Sequence, residues 1–225
     1  MIGVFDSGAG GLFALAELRR LCPHANTVYL ADKENAPYGN KDRDTLVELV
    51  SKDIERLVLF GCDTVLMACC TASSVYEFLP CEYRAVSVPI IEPTAKEAVL
   101  TSRNKRIGII STEATEKSGA FVESIKKYEP SAVVVTSHAP ELVSLAESGE
   151  RDGKLSKGGF KTLEKSVSKF LDTGIDSLIL GCTHFAYFEN KIKEILRVSV
   201  INSARVGAFT MSRFAKEEEG KTFFI

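Results

Sequence analysis

Two cysteines stand at matching places in two copies of one pattern. The first copy is Gly61-Cys62-Asp63-Thr64-Val65-Leu66-Met67-Ala68-Cys69-Cys70-Thr71, and the second is Gly174-Ile175-Asp176-Ser177-Leu178-Ile179-Leu180-Gly181-Cys182-Thr183-His184. The pairs Gly61/Gly174, Asp63/Asp176 and Cys69/Cys182 share one offset, 113 residues, without a gap. A lone cysteine after an apolar run is usually a small buried hydrophobe. A matched pair, each followed by small polar residues, suits a different use: a thiol on either side of one substrate. Such a pair can take a proton from a carbon on one face and return it on the other. A thiol with the ordinary pKa of about 8.5 is only slightly ionised at neutral pH, so each needs a neighbouring base. Asp6, at the end of another strand, can serve Cys69. His184 can serve Cys182, with Glu147 available to orient or polarise its imidazole. Taken singly, Glu147 is the kind of residue that sits on a solvated helix face.

The elements that must hold these groups follow from the patterning. Each copy reads as a turn, a short apolar strand and a cysteine at the strand's carboxyl end. Residues 1–5 form an apolar strand, and Leu12 to Leu21 is apolar at helical spacing with Arg19 and Arg20 in its last turn. Between them lies Asp6-Ser7-Gly8-Ala9-Gly10-Gly11, which meets neither the GxGxxG spacing nor the P-loop lysine. Strand, glycine turn, helix opens an α/β unit. A second strand, Asn26 to Ala31, leads to Pro37-Tyr38-Gly39, a turn that can present amides and a phenol. Asp42 to Phe60 is an amphipathic helix stopped by Gly61. After the first cysteine strand, Thr71-Ala72-Ser73-Ser74 begins a helix, which places Cys69, Cys70 and Thr71 at a terminus that lowers thiol pKa. A strand at Val86 to Ile90 and a helix from Glu92 to about Ser102 follow.

Arg106 to Ser111 then restarts the opening, with Gly108 on Gly3 and Thr112 on Ser7. Thr115 follows as Gly10 does in the first half. Helix Ser118 to Lys127, strand Ala132 to Thr136, helix Glu141 to Glu147 and helix Ser156 to Leu171 lead to the second cysteine strand. A helix to Leu196, a strand at Val198 to Asn202, a helix at Ala204 to Glu219 and a terminal strand at Thr222 to Ile225 complete the chain. The expected division is 1–95, 96–203, and a 204–225 segment returning to the first unit.

Composition narrows the function classes. The chain has 225 residues, 45% hydrophobic and 26% charged, with a formal net charge of -2. That is ordinary for a soluble globular protein and points to neither nucleic acid nor an acidic membrane surface as partner. Six cysteines without a CxxC pair, and only three histidines, indicate free thiols in a reducing, cytoplasmic setting rather than a disulfide scaffold or zinc site. The amino terminus reads directly as a strand, with no signal peptide, and no apolar run is long enough for a membrane span.

The same residues resemble those of bacterial glutamate racemases. Gly3-Val4-Phe5-Asp6-Ser7-Gly8-Ala9-Gly10-Gly11-Leu12, Pro37-Tyr38-Gly39, Ala68-Cys69, Thr71-Ala72-Ser73, Ile91-Glu92-Pro93 and Gly181-Cys182-Thr183-His184 occur in that family's order. The resemblance runs essentially end to end. It implies two pseudo-symmetric α/β halves, each a mostly parallel sheet flanked by helices, with the active site between them. It implies no cofactor and no metal, a homodimer, and supply of D-glutamate for peptidoglycan. By resemblance, Cys69 and Cys182 are the two acid/base residues, with Asp6, Glu147 and His184 as auxiliaries. Substrate contacts would come from Asp6, Ser7, Pro37, Tyr38, Gly39, Cys70, Thr71, Thr112, Thr115, Thr183 and His184.

Four places depart from the family pattern. Cys70 stands where the family has Asn, and a thiol is a weak hydrogen-bonding group in place of a substrate-binding amide. Ala139 replaces a frequent Cys, Ala186 a Pro, and Asn202 an Asp. Racemisation of glutamate is the expected activity. A racemase of aspartate or another amino acid, and an inactive carboxylate-binding or inhibitory protein, stay open beside it.

Overall fold

A computed structural model describes residues 1–225. The strands are β1 (Ile2–Asp6), β2 (Thr27–Ala31), β3 (Thr64–Met67), β4 (Ser87–Pro89), β5 (Arg106–Ser111), β6 (Val133–His138), β7 (Ser177–Gly181), β8 (Ser199–Asn202) and β9 (Thr222–Phe224). They form two sheets, ordered β4-β3-β1-β2-β9 and β6-β5-β7-β8, with every pairing parallel. Parallel strands need crossover connections, and helices supply them. In the first sheet's half these are α1 (Leu12–Leu21), α2 (Arg43–Leu59), α3 (Cys70–Ser73) and α4 (Cys81–Val86), and α5 (Ile91–Thr101) then leads from the first sheet to the second. Next come α6 (Glu113–Ser118), α7 (Ala120–Tyr128), α8 (Pro140–Glu147), α9 (Lys157–Ser168), α10 (Glu189–Leu196) and α11 (Ser203–Ser212).

The internal repeat is exact in register. Gly3 pairs with Val65 on β3 and Val28 on β2, while Gly108 pairs with Leu178 on β7 and Val135 on β6. The outer pairings Val65–Ser87 and Leu178–Val200 keep the 113-residue offset. Both cysteines therefore leave equivalent strands at the carboxyl edge, where parallel sheets collect ligand-binding loops.

Four helices differ from expectation. One is the helix expected from after His184 to Leu196, where a 3-10 segment over Thr183–Phe188 comes first and α10 begins only at Glu189. The helix expected over 118–127 begins at Glu113 and is broken at Gly119, whose φ of +69° ends α6 in the left-handed region. The helix expected over 204–219 stops at Ser212. Beyond it the charged run no longer buries an apolar face, and Glu218 instead binds the turn before β2, its carboxylate accepting from Asn26 N–H at 3.0 Å. α9 likewise ends at Ser168, three residues short of the expected Leu171. α5 runs unbroken across position 95, and its buried Ile91, Ala95, Ala98 and Val99 pack with Ile107, Ile109, Ile125 and Ile179 of the second half. α11 buries Ala204, Ala208 and Met211 against Ile2, Val4 and Leu66 of the first sheet.

Candidate active site

A cavity of about 350 Å³ opens between the carboxyl edges of the two sheets. Ser7, Cys69, Cys70, Thr71, Pro37, Tyr38 and Gly39 line it from the first half, and Thr112, Glu147, Cys182, Thr183 and His184 from the second. Both repeat cysteines thus face one space. Cys69 stands at the N-cap position of α3 without a side-chain capping bond, and its sulfur lies 3.4 Å from Ser7 Oγ. Cys182 Sγ lies 3.8 Å from His184 Nδ1, and His184 Nε2 lies 3.5 Å from Glu147 Oε1. That last pair is close enough for charge attraction but lacks hydrogen-bond geometry, so Nε2 is a buried donor without a bonded partner. Glu147 sits at the rim with its side chain 56% exposed, whereas His184 is buried.

Electrostatics here run against easy ionisation. Burial pushes the Cys69 thiol up to about 11, with the Asp6 charge adding to the rise and Ser7 opposing it. Burial also lifts Cys182 well above the ordinary thiol range, and Cys70 and Cys69 lift it further. The start of α3 does lower the Cys69 thiol, through the Ala72 amide, but burial outweighs it and the net shift is upward. A helix terminus contributes about 0.3–1 kcal/mol, while a rise from the usual thiol value to about 11 is worth roughly 3 kcal/mol. Moreover, α3 is a single turn, too short for much dipole. His184 is pushed below its usual value by burial, against the pull of Glu147, and is a neutral base at pH 7. Asp6 is pushed up to about 7 by burial, although Thr183 and the loop amides lower it.

Two expected contact residues do not line the cavity. Asp6, the fully buried end of β1, accepts from Gly8 N–H at 3.1 Å and from the Thr183 hydroxyl at 3.0 Å. It sits behind the wall because the glycine turn folds over it: a Cβ on Gly11 would stand 2.4 Å from Asp6 Cβ. Thr115 lies one layer back, joined to Thr71 and Thr112 at 3.1 and 2.9 Å, while Thr71 and Thr112 meet at 2.9 Å across the two halves.

The model of the Asp/Glu/hydantoin racemase family matches residues 14–210. The glutamate racemase of Aquifex aeolicus is 38% identical over 219 residues, covering 96% of this chain and 84% of that protein. The chain belongs to the Asp/Glu/hydantoin racemase family. A glutamate racemase isoform from Bacillus anthracis superposes with a TM-score of 0.90 at 26% identity, over 100% of this chain and 86% of that one. The Francisella tularensis glutamate racemase in complex with D-glutamate gives 0.89 at 25% identity, over 99% and 86%.

Within this racemase-family cavity several lining residues escape a reading of the sequence: Ala36, Asn40, Glu113, Val143 and Ser144. For the last two a signal existed. Pro140, Val143, Ser144 and Glu147 are spaced three to four apart on α8 and share the face turned to the cavity. No lysine or arginine lines the cavity, so substrate carboxylates would meet hydroxyls and main-chain amides. Cys70 donates to Ser203 Oγ at 3.4 Å, and Ser203 donates to the Leu180 carbonyl, so this thiol is tied to α11.

Proposed function

We propose that this chain is a glutamate racemase that moves the α-proton between two faces of its substrate with Cys69 and Cys182. The observation that carries the reading is the placement of both thiols, from register-equivalent strands, on one cavity lined from both halves. The related glutamate racemases, one of them in complex with D-glutamate, support glutamate as the substrate.

Each thiol needs its own means of becoming a base. On the Cys182 side, neutral His184 accepts the thiol proton at Nδ1, and Glu147 stabilises the imidazolium that forms. The resulting thiolate takes the α-proton, and the Cys69 thiol protonates the planar carbanion from the opposite face. In the reverse direction Cys69 is the base. Its direct polar neighbour is Ser7, and Asp6 acts on it by charge rather than by contact. Ionised Asp6 discourages a Cys69 thiolate, which keeps that thiol protonated as the donor. Burial makes both thiolates, once formed, strongly basic, as abstraction of an α-proton requires.

The working units in this reading are residues 1–90 with 204–225, and residues 91–203, supported by the packing of α5 and α11. A homodimer, a cytoplasmic location and supply of D-glutamate to the cell wall belong to the same proposal. No helix is long and apolar enough to cross a membrane. Cys70 favours a second reading, a shifted preference toward aspartate, because its hydrogen is directed to Ser203.

Circular dichroism of purified, reduced protein with L-glutamate, D-glutamate and L-aspartate, in deuterated buffer, tests both readings. Loss of optical activity from both glutamate enantiomers, with deuterium entering at Cα, is expected. Activity on aspartate alone would replace the first reading with the second. Silence on all three would leave a carboxylate-binding protein.

A further inference from the structure

α2 carries a buried acid that the proton-transfer groups do not touch. Asp53 is 3% exposed, and its Oδ2 lies 3.1 Å from the Tyr38 hydroxyl. The same hydroxyl lies 2.6 Å from Oδ2 of Asp32, which is also buried. Asp32 Oδ1 accepts from Asn35 N–H at 3.3 Å and from its side-chain amide at 3.0 Å. One phenol oxygen is therefore held between two carboxyl groups, in the loop that forms the Pro37-Tyr38-Gly39 wall of the cavity.

Counting hydrogens decides how this can bond. A phenol has one hydrogen to donate. The shorter contact takes it, so Tyr38 donates to Asp32. Two lone-pair oxygens would then face each other at the longer contact, unless Asp53 is protonated and donates to the phenol oxygen. With that proton the chain is continuous, from Asp53 through Tyr38 and Asp32 to Asn35.

We propose that Asp53 is a positioning residue for substrate: in its protonated form it locks Tyr38 and the Pro37–Gly39 wall into their binding arrangement, so that substrate binding takes up one proton. The substrate in this inference rests on the racemase reading. The groups that face Asp53 are the Asp32 carboxylate at the end of β2, the Tyr38 phenol, and Arg56 on its own helix, whose Nη1 lies 3.3 Å from Oδ1. Burial, followed by the Asp32 charge, pushes the Asp53 carboxyl up to about 6, with Tyr38 and Arg56 opposing. Burial and the two acids hold the Tyr38 phenol far above its ordinary range, so it keeps its hydrogen throughout. Above pH 6 the free protein loses the Asp53 proton, and binding has to restore it.

The test is KM for D-glutamate against pH in wild type, Asp53→Asn and Asp53→Leu. In wild type, KM rises above pH 6 with a slope approaching about tenfold per pH unit. An Asn amide donates at every pH, so in Asp53→Asn this component is flat. Leu has no donor, so KM is raised at all pH values by about tenfold, with kcat held to within about twofold. Titrations of the cavity's own groups are common to all three proteins and cancel in the comparison. Identical profiles for wild type and Asp53→Asn would overturn the inference, as would a loss confined to kcat. If none of the three proteins racemises glutamate, the racemase reading fails, and carbon-13 resonances of the Asp53 carboxyl and Tyr38 Cζ decide this inference separately. A shared midpoint near pH 6 supports the chain; a Tyr38 signal indifferent to Asp53 ionisation sinks it.

Discussion

Buried thiols with raised pKa are poor resting bases, yet once ionised they are strong ones, and this sets what substitution will do. Replacing Cys69 or Cys182 by Ser keeps the size but leaves a hydroxyl that ionises far less readily. Positioned acid–base groups contribute about 10²–10⁴-fold, so each variant should lose at least about a hundredfold in racemisation while still folding. Racemisation at the native rate by either variant would exclude that cysteine from proton transfer. Asp6 makes an opposite prediction for stability. Its carboxyl is raised to about 7 in the fold against about 4 unfolded, so the folded chain holds the proton more tightly. Its contribution is then fully present below pH 4 and is lost as pH rises through 7, an effect on the order of 4 kcal/mol. Asp6→Asn should therefore be as stable as wild type or more so at pH 8, with the difference shrinking toward pH 5. Urea unfolding at both pH values measures it, and a wild type more stable at pH 8 than at pH 5 relative to the variant would contradict it.

At the level of elements, the glycine turn after β1 is the contact that brings one half's loop against the Thr183-His184 turn of the other. A Cβ on Gly10 would stand 2.4 Å from Thr183 Oγ1 and 2.9 Å from His184 N, both beyond what packing allows. Gly10→Ala should force the turn away from Thr183-His184, at a cost of about 1–3 kcal/mol in stability. Because the displacement lies beside the imidazole, activity should fall by at least about tenfold, more than the stability loss explains. Melting temperature and kcat/KM, measured together, check this; a fully active variant would show the turn to be compliant. The duplicated strands were legible in the sequence because a small Gly, a turn Asp and a Cys recur at fixed offsets in apolar runs. The threonines bridging the halves were named, though only the fold shows that Thr115 stands behind Thr71 and Thr112. Asp53 was not legible. It falls within an amphipathic helix whose charges read as solvated, and its partner Tyr38 comes from a separate loop. The wall residues Ala36, Asn40 and Glu113 lie in a loop, at the end of a single 3-10 turn and at a helix start, where no periodicity marks which way a side chain turns.

For the whole molecule, the cavity belongs to neither sheet alone, so a ligand in it ties the two halves together. Direct contact between them already exists at Thr71–Thr112 and Asp6–Thr183. Anything that binds the folded chain and not the unfolded one stabilises it by about 2.7 kcal/mol at a hundred times its Kd. For a chain of this size, that is a rise of roughly 5–10 °C in melting temperature. D-glutamate should produce this shift in wild type, and also in Cys69→Ser and Cys182→Ser, since binding by hydroxyls and amides does not need a thiolate. The same shift in a protein that no longer racemises would separate binding from chemistry. Asp53→Leu should need more ligand for the same shift at pH 6, because the wall that meets the substrate is no longer held by Tyr38. Absence of any D-glutamate shift in the thiol variants, with wild type responding, would mean that the sulfurs themselves hold the substrate. The two halves would then be joined through the reacting atoms rather than through the surrounding wall.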